Sequence, residues 1–306
     1  MLLSLLLLIV GFVLLTRGAD FFVDGASSLA AKMRIPTIVI GLTVVAMGTS
    51  APEASISILS AIQNADSIAV GNVIGSNIAN ILLIFGITAM ISVLSVKKYT
   101  LWYEIPFVGF ITVLLCLMGA KGTITRIDAL VLLGLFVLFL AYLFVISKKE
   151  KNQDTEIKQM GGLKIFLYIV GGLVALVLGS NLTVNSAVNI ARLLGISERV
   201  IGLTIVAFGT SVPELVTCIV AAIKKQSDIV IGNIIGSNIF NILFVLGLAG
   251  VIAPIPFKPE FLFDGAFALI AIIMLMLFVF RTKKLGHIAG LFFMITYGIY
   301  LTLLLH

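Results

Sequence analysis

The sequence predicts an all-α membrane protein with ten transmembrane helices in two inverted five-helix repeats. Composition is the first observation behind this prediction. Hydrophobic residues make up 60% of the 306 residues, charged residues only 11%, and the mean hydropathy is +1.23. A soluble globular chain is excluded by values this apolar. The other two observations are the apolar segments of membrane-spanning length and an internal duplication.

Apolar segments of about 20 residues, the length that crosses a hydrocarbon core as a helix, recur along the whole chain. The predicted helices cover residues 2–31, 37–62, 68–95, 101–119, 125–147, 164–193, 198–223, 229–253, 261–281 and 286–305. The first segment could be mistaken for a signal peptide, but it lacks a basic leader, and from Gly18 onward it matches the chain from Gly179 onward. We therefore interpret it as the first transmembrane helix.

An ungapped duplication runs from about Gly18 to Gly86, and its second copy lies 161 residues further on. Residues 39–53 are VIGLTVVAMGTSAPE and residues 200–214 are VIGLTIVAFGTSVPE; residues 71–82 are GNVIGSNIANIL and residues 232–243 are GNIIGSNIFNIL. Apolar segments resemble each other easily because few residue types fill them. Repeated Gly, Thr, Ser, Pro, Glu and Asn are more specific, and they predict two related halves with a polar site where they meet.

The duplication divides the chain into a first repeat at 1–147, a linker at 148–163 and a second repeat at 164–306. The linker is too short and too polar to form a core of its own. Five predicted helices precede it, and because this number is odd, the second repeat enters the membrane in the opposite sense from the first.

The distribution of basic residues predicts the orientation in the cell membrane. Fourteen Lys and Arg residues fall on the same side as the linker, and five fall on the other side. By the positive-inside rule, the linker is cytoplasmic and both termini are outside. The same loop residues account for the net charge of +6, so the basic balance gives no reason to expect a nucleic-acid partner.

The repeated Gly-Thr-Ser-Xaa-Pro-Glu segment predicts a kink in a membrane helix. Pro52 has no amide hydrogen, so the carbonyl of Gly48 loses its helical partner, and a freed carbonyl in hydrocarbon costs several kcal/mol unless something binds it. Thr49 and Ser50 add hydroxyl oxygens, and Glu53 adds a carboxylate. The second copy supplies the same groups at Gly209, Thr210, Ser211, Pro213 and Glu214.

The second repeated segment places Ser76 and Asn80 four residues apart, on one face of a helix, and Ser237 and Asn241 repeat the spacing. Together the segments offer carboxylates, hydroxyls, amides and carbonyls without His or thiolate. Oxygen ligands of this kind suit hard cations such as Ca²⁺ or Na⁺. No cofactor is implied.

A structural role competes with a functional one for each residue. Single Ser, Thr, Gly or Pro residues in membrane helices are commonly structural. Glu53 and Glu214 differ, because a charge near the bilayer centre costs roughly 2.5–3.5 kcal/mol and no Lys or Arg in the neighbouring turns can neutralise them. We therefore predict a cation site there. For Arg17, Asp20 and Asp24 we predict an internal ion pair.

The two motifs, in order and in duplicate, resemble the two alpha repeats of the sodium/calcium exchanger family. The resemblance implies that the second, third, seventh and eighth helices surround the ions and that the first and sixth slide against them. It implies the ligands Ala46, Thr49, Ser50, Glu53, Ser76, Asn80, Ala207, Thr210, Ser211, Glu214, Ser237 and Asn241. Ala46 and Ala207 act through their backbone carbonyls, and Thr49 and Thr210 through their carbonyls as well as their side chains. Some family members have Asp at the position of Asn241.

The expected activity is a secondary antiporter that exports Ca²⁺ using inward Na⁺ flow, with the lipid bilayer as its surroundings and no obligate protein partner. The first alternative is an H⁺/Ca²⁺ exchanger, because protons can also neutralise a pair of buried carboxylates. A cation channel is the alternative from another class. An enzyme is the weakest candidate, because the sequence contains no Gly-Xaa-Ser-Xaa-Gly or His-Glu-Xaa-Xaa-His motif.

Overall fold

The computed structural model describes residues 2–63, 66–149, 160–195 and 209–305, and helices account for most of them. The helices are α1 (Leu2–Met33), α2 (Thr37–Ile40, π-helical Gly41–Val45, Ala46–Thr49), α3 (Ala51–Ile62), α4 (Asp66–Ala79, π-helical Asn80–Ile84, Phe85–Ile91), α5 (π-helical Thr100–Glu104, Ile105–Gly119), α6 (Arg126–Lys149), α7 (Gly162–Leu193), α8 (Val212–Ile223), α9 (Ser227–Phe240, π-helical Asn241–Val245, Leu246–Ile252), α10 (Glu260–Thr282) and α11 (His287–Leu305). The short strands are β1 (Leu94–Ser95), β2 (Thr123–Ile124), β3 (Ile255–Pro256) and β4 (Lys284–Leu285).

The chain is an all-helical membrane protein. Eight helices in the described ranges are long and apolar enough to cross a membrane, and α2 with α3 forms a ninth, bent span. At 12 residues, α8 is too short to cross alone. The predicted seventh helix, 198–223, begins in residues that the structure does not describe, so the total of ten helices stays a prediction.

The central helix is α9, which is buried over 94% of its most apolar stretch, compared with 22% for α1 and for α7. Glycines let α2 approach it closely. A Cβ atom added to Gly232 would lie 2.7 Å from the Cα of Gly41, and one added to Gly236 would lie 2.7 Å from the carbonyl oxygen of Leu42. Backbone contact of this kind is available only to small residues. It places the second repeated segment of one half against the first repeated segment of the other.

The long helices α1 and α7 also pack through glycines. A Cβ atom at Gly18 would lie 2.9 Å from the carbonyl oxygen of Gly172, and one at Gly179 would lie 2.9 Å from that of Gly11. Glycine stripes let two helix backbones touch without interlocking large side chains. The two helices therefore share a smooth contact at the outside of the bundle.

The strands connect the two halves of the chain. Strand β1 pairs with β4, with Leu94 opposite Leu285, and β2 pairs with β3, with Ile124 opposite Ile255. The repeat offset of 161 residues relates Leu94 to Ile255 and Ile124 to Leu285. The β1–β4 pairing is therefore the repeat equivalent of the β2–β3 pairing. The correspondence between the halves thus extends beyond Gly86, where the sequence similarity fades.

Candidate functional site

Both copies of the first motif begin a new helix at a serine. Ser50 has φ −81° and ψ 9°, and α2 and α3 meet there at 52°. Ser211, which precedes α8, has φ −87° and ψ 5°. Pro52 and Pro213 then lie in the first turn of α3 and α8, where the missing N–H leaves no helical bond unmade. The predicted kink is confirmed at Ser50, where one helix ends and the next begins in a different direction.

The restart places a glutamate in the first turn of each new helix: Glu53 in α3 and Glu214 in α8. The unpaired N–H groups and the dipole at a helix N-terminus favour a negative charge. Each glutamate is only 1% exposed, so little of this stabilisation is screened by solvent. The backbone geometry therefore explains how two carboxylates can lie inside an apolar protein.

Hydrogen bonds cross between the two halves at the glutamates. The hydroxyl of Ser50 donates to Oε1 of Glu214 at 2.9 Å, and the hydroxyl of Ser211 donates to Oε1 of Glu53 at 3.2 Å. Ser211 also lies 3.5 Å from the hydroxyl oxygen of Ser76. Each carboxylate is thus held by a residue of the other repeat.

Four buried oxygens around these bonds accept no hydrogen bond from the described residues: Glu53 Oε2, Glu214 Oε2, Asn80 Oδ1 and Asn241 Oδ1. A buried acceptor without a partner costs about 1–3 kcal/mol, and more when it is charged. All four are oxygens and none can act as a donor when the glutamates are ionised. A hard cation is the type of ligand that satisfies such a set.

Asn77 and Asn238 orient the amides of Asn80 and Asn241. Asn80 Nδ2 donates to Asn238 Oδ1 at 3.0 Å, and Asn241 Nδ2 donates to Asn77 Oδ1 at 3.2 Å. Asn77 and Asn238 also donate to each other's backbone carbonyl, at 3.2 and 3.4 Å. Because the nitrogens of Asn80 and Asn241 are engaged, their oxygens are the atoms left for a ligand.

Asn233 organises the hydroxyl groups of the site. Its Oδ1 accepts from Thr49 at 3.0 Å and from Ser237 at 3.3 Å, and its Nδ2 donates to the sulfur of Cys218 at 3.3 Å. Once these hydroxyl hydrogens are engaged, the lone pairs of Thr49 and Ser237 remain available to a cation. Cys218, a buried residue, therefore accepts a hydrogen bond at its sulfur.

The first half contains the matching arrangement with different chemistry. Asn72, the repeat equivalent of Asn233, donates to the hydroxyl of Ser57 at 3.0 Å and to the backbone carbonyl of Glu53 at 3.2 Å. Ser57 stands where the second half has Cys218. Asn72, Asn77, Asn233 and Asn238 were not predicted as site residues, although their repetition in the two copies of the second motif is a signal that could have identified them.

The remaining predicted ligands lie as follows. Ala46 is buried in α2, and its carbonyl accepts from the amide of Ser50 at 3.0 Å. Thr210 lies beside Glu53, as Thr49 does beside Glu214. Ala207 lies outside the described residues. The structure thus connects residues of α2, α3, α4, α8 and α9 through side-chain contacts around the two glutamates.

The predicted internal ion pair of Arg17 with Asp20 and Asp24 is wrong. Both aspartates pair with Lys224, at 2.6 and 2.5 Å from its Nζ, and Lys224 also donates to the backbone carbonyl of Asp20 at 3.2 Å. Packing of the end of α8 against α1 brings these distant residues together, and local spacing along α1 could not reveal it.

Three comparisons bear on the identity of the chain. The family model described as sodium/calcium exchanger protein matches residues 3–145 and again residues 164–306. The putative antiporter CaxA of Alkalimonas amylolytica is 42% identical over 262 residues, covering 83% of this chain and 82% of the relative. The sodium/calcium exchanger MaX1 of Methanosarcina acetivorans is 33% identical, and the match covers 99% of each chain.

Among solved structures, the sodium-calcium exchanger NCX_Mj soaked with zero Na⁺ and Ca²⁺ superposes with a TM-score of 0.87, at 33% identity and over 99% of each chain. The same exchanger soaked with 10 mM Na⁺ and 10 mM Sr²⁺ gives a TM-score of 0.86 at 34% identity.

Proposed function

This chain belongs to the sodium/calcium exchanger protein family, and on that premise we propose that it exchanges Na⁺ for Ca²⁺ by alternating access and normally exports Ca²⁺. The observation that carries the proposal is the pair of glutamates from opposite repeats, each bound by a serine of the other repeat. The proposed ligands are the residues predicted from the sequence, and the four oxygens without donors support their role.

Charge accounts for the coupling. One Ca²⁺ neutralises Glu53 and Glu214, and so do two Na⁺, so either load lets the site pass a low-dielectric barrier. An empty site carries two buried negative charges, whose desolvation opposes movement. The two loads therefore have to alternate, which makes exchange obligatory.

We further propose the ten-helix arrangement in two inverted repeats, with the linker cytoplasmic and both termini outside. The β1–β4 and β2–β3 pairings are repeat equivalents of each other, which supports two equivalent halves. The glycine contact between α1 and α7 and their high exposure support these two helices as the pair that slides against the core.

Proton-coupled exchange is the second candidate. Two protons could neutralise Glu53 and Glu214 as two Na⁺ would, and the geometry of the carboxylates serves either ion. A channel differs from both antiporters because calcium then moves without a counter-ion.

Calcium flux into proteoliposomes of the purified protein tests the proposal. Vesicles are prepared with an outward Na⁺ gradient, an outward H⁺ gradient at equal Na⁺, or no gradient. We expect rapid Ca²⁺ uptake with the Na⁺ gradient alone. Uptake driven by the H⁺ gradient without a Na⁺ gradient would favour the second candidate, and equal uptake in all three preparations would indicate a channel.

A further inference from the structure

A cavity of about 600 Å³ opens between the end of α1, the start of α2 and the end of α6. It is separate from the candidate cation site, because none of its lining residues is among the predicted ligands. Its walls are chiefly apolar, with Val39, Ile40 and Val44 on α2 and Leu140 and Leu143 on α6. The volume is within the usual range for small-molecule sites.

The polar groups in the lining are of two kinds. The hydroxyls of Thr43 and Ser147 donate to the backbone carbonyls of Val39 and Phe144, each at 2.7 Å, so both hydrogens are engaged within their own helices. The charged groups are basic, and the lining contains no Asp or Glu. The cavity therefore fits a ligand with an apolar body and an anionic group.

Arg34 and Lys148 supply the positive charge. Arg34 lies in the turn after α1, with φ 55°, and its side chain is exposed. The Nζ atom of Lys148 lies 4.3 Å from the ring centroid of Phe144, at the end of α6. Within the described ranges neither side chain forms an ion pair with an Asp or Glu residue. Both basic residues therefore line the same cavity without a carboxylate partner in these ranges.

We propose that this cavity binds an anionic phospholipid of the surrounding bilayer, with the lipid phosphate on Arg34 and Lys148 and an acyl chain along α2 and α6. Basic pockets between transmembrane helices near the cytoplasmic surface suit anionic headgroups, and long basic side chains can reach a headgroup while their stems cover apolar surface. The positive-inside distribution predicts that both residues face the cytoplasmic leaflet.

The position of the cavity connects the lipid to the cation site. Thr43 and Val44 belong to the segment where α2 changes to π-helical geometry, Gly41–Val45, with Ile40 directly before it and Ala46 directly after it. On its other face this segment touches α9, because a Cβ atom at Gly41 would lie 3.0 Å from the Cα of Gly232. An acyl chain in the cavity would therefore pack against one face of the Gly41–Val45 segment, while α9 is in contact with its other face. We expect a bound lipid to change the exchange rate, and this part rests on the proposed function.

Lipid binding to the purified protein tests the proposal without reference to transport. The protein in detergent is titrated with phosphatidylglycerol or phosphatidylcholine, and bound lipid is counted by native mass spectrometry. We expect phosphatidylglycerol to bind more tightly, and the double variant Arg34→Gln/Lys148→Gln to lose about tenfold or more of that affinity. The matched control is Lys98→Gln/Arg281→Gln, which removes one Lys and one Arg that are exposed and lie on the same predicted side.

A second variant tests the apolar part of the cavity. Leu140→Trp fills part of the cavity without changing its charge. It should weaken phosphatidylglycerol binding while the protein still purifies as a folded monodisperse species. Equal loss in the two double variants, or equal affinity for the two lipids, would overturn the proposal. Exchange is then measured in vesicles with and without phosphatidylglycerol. A wild-type protein that binds the lipid but shows no Na⁺/Ca²⁺ exchange would reject the proposed function alone.

Discussion

Ser50 donates a hydrogen bond to Glu214 at 2.9 Å, and the repeat-related pair, Ser211 and Glu53, forms the same bond at 3.2 Å in the opposite direction between the halves. Each glutamate therefore lies at the N-terminus of a helix of its own repeat and accepts a hydrogen bond from a serine of the other repeat. These crossed bonds join the two halves, so a change in how the halves pack alters the surroundings of the carboxylates directly.

Glu53→Gln and Glu214→Gln should each nearly abolish calcium transport. Each change keeps the shape of the side chain and removes a buried charge that a cation would pair with. The loss of one partner from a buried charge pair costs about 3 kcal/mol or more, which corresponds to roughly a hundredfold in affinity. Stability to heat should stay level or rise because a desolvated charge is lost. Flux and thermal unfolding of the same preparations check both effects.

Glu104→Gln is the control for these variants, because Glu104 is also buried, at 2% exposure, but lies in α5 away from the crossed bonds. Near-normal calcium flux in either site variant, or an equal loss in the control, would reject the assignment of the two glutamates.

Asn77→Ala and Asn238→Ala should weaken calcium affinity with a smaller effect on the maximal rate. Each removes the acceptor that holds the amide nitrogen of Asn241 or Asn80. Without it that amide can rotate and present nitrogen to the cation. The loss of one such bond, about 1 kcal/mol, predicts a rise of roughly fivefold in KM for Ca²⁺. The exposed Asn189→Ala is the control, and an unchanged KM in both site variants would exclude an orienting role.

Cys218 offers a matched pair of substitutions. Cys218→Ser should be tolerated, because Ser57 already fills the equivalent place and accepts from Asn72. Cys218→Val should lower stability by about 1–3 kcal/mol, because the amide nitrogen of Asn233 loses its acceptor inside the protein. Thermal or denaturant unfolding compares the two variants. If valine is no worse than serine, the sulfur contact does not contribute to folding.

Parts of this architecture could be predicted from the sequence. A glutamate repeated inside two apolar segments identified Glu53 and Glu214 without any structure, and the polar repetition predicted that the halves meet at a polar site. The asparagines that orient Asn80 and Asn241 were not identified. Their role depends on how α4 and α9 cross, and helix spacing alone does not contain that information.

The pairing of Asp20 and Asp24 with Lys224 was missed for the same reason. The residues are about 200 positions apart in the chain, and only the packing of α8 against α1 joins them. Local periodicity predicted elements well, whereas contacts between elements required coordinates.

Lys224→Gln should shift the conformational equilibrium away from the arrangement seen here. The lysine joins the end of α8 to α1, one of the two helices proposed to slide. The repeat equivalents of Lys224, Asp20 and Asp24 are the uncharged Gln63, Asn181 and Asn185. Asp20 and Asp24 are 40% and 38% exposed, so solvent screening limits the effect to about 1 kcal/mol, or roughly fivefold in population. Distances between spin labels on α1 and α8 report the two populations. The neighbouring Lys225→Gln is the control. Identical distance distributions for wild type and Lys224→Gln would show that the ion pairs of Lys224 do not stabilise this arrangement.

Because position 241 is an asparagine, it adds no charge to the proposed site. With Glu53 and Glu214 as its charges, a site holding three Na⁺ is at +1 and one holding Ca²⁺ is neutral. A three-to-one cycle then moves one net charge, and its free energy changes by about 2.3 kcal/mol per 100 mV. Exchange in vesicles clamped with valinomycin should therefore depend on the imposed potential, and a rate that ignores the potential would reject this stoichiometry.

Asn241→Asp adds a third carboxylate and removes the donor to Asn77 Oδ1, which lies 3.2 Å away in the native protein. The new carboxylate should repel that oxygen until the amide of Asn77 rotates to present its nitrogen. The calcium-loaded site becomes −1 and can hold an additional monovalent cation or proton during transport. We expect the variant to bind cations at least as tightly, to turn over more slowly, and to acquire a dependence on pH or K⁺ that wild type lacks. Combining it with Asn77→Ala should relieve part of the repulsion. A variant indistinguishable from wild type in rate, pH and K⁺ dependence would show that Asn241 is not part of the site.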